Sequence, residues 1–244
     1  MPRKLNYLKT SRHNGVDLLR AIAIILMLFF HFLYDLNFLN LVDFDIAGGQ
    51  YWAIFRSVIV SFFLITMGAS LTLAYPDKII WKNFINRQFA LAISALVISL
   101  ITFVVIKENW VFFGIIHFIF VASILSIAFR HSPKTSLLIF VAIISVYYFE
   151  LLHRRWPFNF IDALLPHKTN DFVALFPWLA LPFLGISLAN QVFFKSEQAK
   201  SIKLPAFLTL ISKHSLLIYL LHQPIFFILL YVFIEISSLN SILN

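Results

Sequence analysis

Seven stretches of the chain stay apolar for about as long as a helix needs to cross a hydrocarbon core ~30 Å thick, which takes about 20 residues. They run approximately Val16 to Phe38, Tyr51 to Tyr75, Phe84 to Ile106, Trp110 to Phe129, Ser136 to Leu152, Phe172 to Phe194 and Lys213 to Ile236, the fifth being the shortest. The pattern predicts an all-α integral membrane protein, a polytopic bundle of about seven transmembrane helices forming one domain over residues 1–244. The first stretch does not read as a cleavable signal peptide. It is too long, carries polar residues in its apolar half and lacks a small-residue cleavage site, so it is expected to remain as a helix.

Lysine and arginine orient the bundle. The N-terminal segment 1–15, the connections around Lys78, Lys82 and Arg87 and around Arg130 and Lys134, and the run Lys195, Lys200, Lys203 and Lys213 hold thirteen positive charges. The opposite loops hold four: Lys107, Arg154, Arg155 and Lys168. By the positive-inside rule the basic N-terminal segment is cytoplasmic, and an odd number of spans puts the C-terminus outside. Leu204 to Ile211 follows a basic linker and reads as a short amphipathic helix in the cytoplasmic interface.

Composition agrees. Hydrophobic residues are 61% of the chain and charged residues 12%, well under the roughly one quarter of a soluble domain. The net charge of +8 belongs to the membrane topology, because no basic stripe lies outside the spans, and nucleic acid is not an expected partner. With no cysteine, thiolate catalysis and thiolate metal sites are excluded. No HxxxH or HExxH spacing exists either, so no metal is expected.

The chemistry must then come from ionisable residues inside the spans, which are costly there and mark function by default. Arg20 enters near the cytoplasmic end of the first span; His31 lies eleven residues on, about three turns along the same face, and Asp35 one turn further. An i, i+4 histidine and carboxylate can hydrogen-bond, which would fix the imidazole tautomer for general-base work. Arg56, His117 and Asp171 fall toward the outer side, and His222 and Gln223 lie mid-span beside Pro224. Pro177 and Pro182 flank Trp178 and interrupt the sixth span. Broken backbone at membrane depth lines cavities, so a polar cavity opening outward is expected. Plainer readings stand beside these: Asp17 and Arg20 as a helix-end pair, Arg56, His117 and Asp171 as packing partners. His13, His131, His153 and His167 read as surface residues, and His214 as interfacial.

Five segments also resemble, in order, bacterial relatives of the heparan-alpha-glucosaminide N-acetyltransferase catalytic domain: "GVDLLRAIAIILMLFFHFLYDL", "FRSVIVSFFLITMGASLTLAY", "FGIIHFI", "DFVALFPWLALPFLGISL" and "KHSLLIYLLHQPI". The resemblance runs from Arg12 to Ile225. The first segment is also similar to the signature of the wider transmembrane acyltransferase superfamily, a basic residue, ten residues, then histidine, met here by Arg20 and His31. The loop Asn37 to Gln50 has no histidine, unlike the lysosomal branch, so His31 follows the superfamily pattern.

The resemblance implies a multi-pass enzyme of the bacterial inner membrane that moves an acyl group, commonly acetyl, from cytoplasmic acetyl-CoA or another acyl-CoA to a sugar or glycan acceptor at the outer side. His31 would be the base and Asp35 its orienter. Arg20, Arg56, His117, His222 and Gln223 would hold the donor, and Asp171 and Trp178 the acceptor. The lipid bilayer and a glycan or amino-sugar acceptor are the implied partners, with room for a homodimer. Two other readings stay open: a proton-coupled transporter or flippase of a lipid-linked or acyl compound, with His31 and Asp35 relaying protons, and a non-catalytic membrane scaffold. No inverted repeat favours transport.

Overall fold

A computed structural model describes residues 13–45, 49–153, 155–166, 169, 171–191 and 203–243. Among these the regular structure is all helical. The helices are α1 (Asn14–Phe38), α2 (Gln50–Ala74), α3 (Trp81–Val105), α4 (Ile115–Ser126), α5 (Pro133–Tyr148), α6 (Ala180–Ala189), α7 (Ala206–Lys213) and α8 (Ser215–Leu243), with short 3-10 turns at Ile127–Phe129 and Phe158–Leu164. Arg3, Lys4, Lys9, Arg12, Gly48, Arg154, His167, Lys168, Lys195 and Lys200, which entered the charge and loop readings, lie outside the described residues.

Each expected span contains a helix, and four are long and apolar enough to cross a bilayer: α1, α2 and α3 with 25 residues each and Ser215–Ser238 of α8 with 24. At ~1.5 Å per residue these reach about 36–38 Å. The other three helices are shorter than the sequence pattern implies, and the causes are local. The fourth stretch is non-helical up to Gly114, because the Asp171 carboxylate accepts the Ile115 N–H at 3.2 Å and fixes the helix start there. In the sixth, Pro177 ends a turn-rich approach and α6 begins only at Ala180. Pro133 opens α5 at its first position, where its missing N–H costs nothing. The segment expected at the interface is helical as α7.

Six serines inside the apolar helices are satisfied on their own backbone. Ser57, Ser61, Ser70, Ser94, Ser123 and Ser126 each donate to the carbonyl four residues back, at 2.5–2.8 Å. This is how a hydroxyl is tolerated where water is scarce.

The chain forms two compact units, Met1–Asp17 with Leu64–Leu204 and Leu18–Phe63 with Pro205–Asn244. In the larger, α5 packs on α6 and α3 on α4. Thr72 and Asn190 both donate to the Arg130 carbonyl, at 3.0 and 2.9 Å, while Arg130 donates through Nε to the Tyr75 carbonyl at 3.2 Å. In the smaller, Ile24, Met27 and Ile59 form a buried core against Phe30, Phe55, Phe63, Ile211, Ile218 and Tyr219.

Candidate active site

The smaller unit holds His31 and Asp35 of α1 and His222 and Gln223 of α8. His31 sits one turn before Asp35 on α1, as its spacing requires, and α8 brings His222 and Gln223 to the same place. The His31 and His222 ring centroids are 4.8 Å apart. Gln223 Nε2 donates to His31 Nδ1 at 3.1 Å, and the same carboxamide hydrogen-bonds the Asp35 carboxylate. Asp35 is fully buried, whereas His31 is half-buried. A carboxylate at that depth is sustained by donors, and Gln223 supplies one.

His222 owes its orientation to α8 itself. Its Nδ1 donates to the Tyr219 carbonyl at 2.6 Å, one turn back, and its ring packs between Tyr219 and Phe226. Pro224 lies inside α8 and removes an N–H from the helix ladder one turn from that carbonyl. Arg56, on α2, lies within electrostatic reach of His31. Arg20, three turns below His31 on α1, donates through Nη1 to the buried Ser212 hydroxyl of α7 at 3.3 Å.

His117, Asp171 and Trp178 belong to the larger unit. The Gly114 N–H donates to His117 Nδ1 at 3.3 Å, so the ring carries its hydrogen on Nε2 and gives it to Ser99 Oγ at 2.9 Å. Ser99 in turn donates to the Val111 carbonyl at 2.7 Å. Both ring nitrogens of His117 are thus engaged by protein, and with Asp171 on the Ile115 N–H they define where α4 begins. Trp178 is half-buried in the turn that leads into α6.

Arg155, read from sequence only as an outer-loop charge, is a structural keystone. Its Nη1 pairs with Asp162 at 3.1 Å, its Nη2 donates to the Pro166 carbonyl at 3.1 Å, and its guanidinium lies over the Phe112 and Phe172 rings at 5.6 and 5.9 Å. A lysine cannot make the fork and the stack together. Arg155→Lys is expected to lower the melting temperature of the detergent-solubilised protein by a few degrees, corresponding to about 1 kcal/mol. Melting unchanged from wild type would show that the fork and stack add nothing.

A family model described as "Heparan-alpha-glucosaminide N-acetyltransferase, catalytic" matches residues 12–224. The chain belongs to this family. No curated protein and no solved structure matches it.

Membership of the heparan-alpha-glucosaminide N-acetyltransferase catalytic family gives the chain a transferase character in a membrane setting, and the family in general takes acetyl-CoA as donor. The matched span contains every candidate residue: Arg20, His31, Asp35, Arg56, His117, Asp171, Trp178, His222 and Gln223. The geometry adds which of these meet. Gln223, expected on the donor, stands against both His31 and Asp35. That contact joins α1 to α8 across 192 positions and has no local signal in the sequence.

Proposed function

We propose that the chain is a membrane acyltransferase that moves an acetyl or other acyl group from cytoplasmic acyl-CoA to a sugar or glycan acceptor at the outer side of the bacterial inner membrane, by histidine general-base catalysis. The observation that carries this reading is the cluster of His31, His222, Gln223 and Asp35 inside apolar helices. Placing such groups at membrane depth is expensive, and imidazoles beside a buried carboxylate are suited to moving a proton there. Family membership supports the transferase class, and the donor of this reading is the acetyl-CoA that the family in general uses. His31 and Asp35 are the catalytic pair of this reading, with Gln223 between the carboxylate and the ring.

Arg20 and Arg56 are assigned to the donor, as guanidinium groups suited to phosphate. His117 goes with the donor through the backbone it fixes at the start of α4. Asp171 and Trp178 are assigned to the acceptor on residue type: a carboxylate for hydroxyl or amine hydrogens and an indole for a sugar face. A homodimer is compatible with this reading, and no metal enters it.

The test is transfer of radiolabel from acetyl-CoA in membranes expressing the wild-type chain, with the envelope glycan fraction counted against empty membranes. Label in the glycan fraction that requires the chain is the expected result. If a folded, purified protein neither transfers label nor binds any acyl-CoA, the reading fails, and movement of an unmodified substrate across proteoliposomes becomes the measurement to make.

A further inference from the structure

The two histidines of the cluster hold their hydrogens on opposite ring nitrogens. A backbone carbonyl can only accept, so the 2.6 Å contact of His222 Nδ1 with the Tyr219 carbonyl puts the hydrogen on Nδ1 and leaves the lone pair on Nε2. That Nε2 is buried without a hydrogen-bond partner, in a residue only 6% exposed. Native proteins keep few such atoms, and those they keep require an explanation. His31 is the reverse. An amide nitrogen can only donate, so the 3.1 Å contact of Gln223 Nε2 with His31 Nδ1 makes that nitrogen the acceptor and puts the ring hydrogen on Nε2. The rings lie 4.8 Å apart, close enough to serve one reacting centre.

We infer that His222 Nε2 is the base that takes the proton of the acceptor, and that His31, through its Nε2–H, is the hydrogen-bond donor to the oxyanion that develops on the thioester. This rests on the acyltransferase reading and divides the labour within it. The acceptor oxygen or nitrogen forms a bond to the thioester carbonyl carbon, and the carbonyl π electrons move to oxygen, where His31 donates. The acceptor's proton passes to His222. The oxyanion collapses, the carbon–sulfur bond breaks, and the proton on His222 goes to the departing thiolate, which leaves as the thiol. The nucleophile and the oxyanion share one carbon, so a base and a donor held side by side meet both. Gln223 is the positioning residue that sets the His31 tautomer, anchored in turn on Asp35.

Two conservative variants separate the roles. His222→Asn keeps a donor for the Tyr219 carbonyl and removes the lone pair; His31→Gln keeps an N–H near the place of Nε2. Steady-state acetyl transfer from acetyl-CoA is expected to lose about 10²–10⁴-fold in kcat in His222→Asn, the worth of a general base, and about tenfold or less in His31→Gln. The opposite order would overturn the inference and leave the acyltransferase reading intact, whereas a wild-type protein that transfers nothing would sink both. If a variant does not fold, nitrogen-15 NMR of histidine-labelled wild type decides independently of activity: the Nδ1–H form for His222 and the Nε2–H form for His31 are expected, and the same form for both would refute the assignment.

Discussion

Membranes carrying His31→Ala are expected to transfer acetyl label from acetyl-CoA about 10²–10³-fold more slowly than wild type, the usual loss when one donor to a developing oxyanion is removed. The ring packs on Phe30 and His222, so the rates are compared at equal folded yield, and the protein should still elute as a folded species after detergent extraction. What is lost is specific: Gln223 no longer has the Nδ1 acceptor at 3.1 Å, and the imidazole 4.8 Å from His222 is gone. Because the interaction is strongest in the transition state, the loss should appear in kcat with the acetyl-CoA KM nearly unchanged. His214→Ala, at an exposed position just before α8, is the control and should transfer normally. A folded His31→Ala protein at wild-type rate would remove His31 from the chemistry altogether.

How much of this was readable beforehand depends on whether the signal was local. His31 and Asp35 stood out because ionisable groups inside an apolar run are rare and because i, i+4 spacing on a helix puts them on one face whatever the tertiary fold. The four long helices were legible for the same reason: length and apolarity are properties of the segment. The short helices were not. Where α4 starts depends on Asp171, 56 positions away, reaching the Ile115 N–H, and the late start of α6 reflects the prolines before it. Gln223 looked like a neighbour of His222 with a part in donor binding, because nothing in "LLHQPI" says which side chain of α1 it will face. His117 was visible as an intramembrane histidine, yet the full engagement of its two nitrogens by Gly114 and Ser99 depends on α3 lying alongside α4. In each case the residue type was informative and the partner was a tertiary fact.

Gly185→Ala is expected to destabilise the larger unit by about 1–3 kcal/mol, a fall of roughly 5–10 °C in the melting temperature of the detergent-solubilised protein, and Gly185→Leu to prevent folding. The reason is close approach rather than backbone conformation, since no glycine described here has a positive φ. A Cβ at 185 would lie 2.1 Å from the Ile65 carbonyl oxygen and 3.0 Å from the Ala69 nitrogen, and one at Gly68 would lie 2.0 Å from the Pro182 carbonyl oxygen. The contacts are reciprocal: each glycine of α2 and α6 accepts the backbone of the other helix. Backbone atoms cannot rotate away as a side chain can, so even one methyl must drive the helices apart and loosen the packing around Ile186 and Leu64, both fully buried. Small residues that let helix backbones meet are a main source of association in lipid, where no hydrophobic force distinguishes one apolar surface from another. Gly68→Ala should act in the same way. Because the two sites lie on one contact, the double variant should lose less than the sum of the singles. Leu188→Ala, on the exposed face of α6, serves as the comparison and should melt close to wild type. If Gly185→Ala melts with Leu188→Ala, the α2–α6 approach does not hold the unit together.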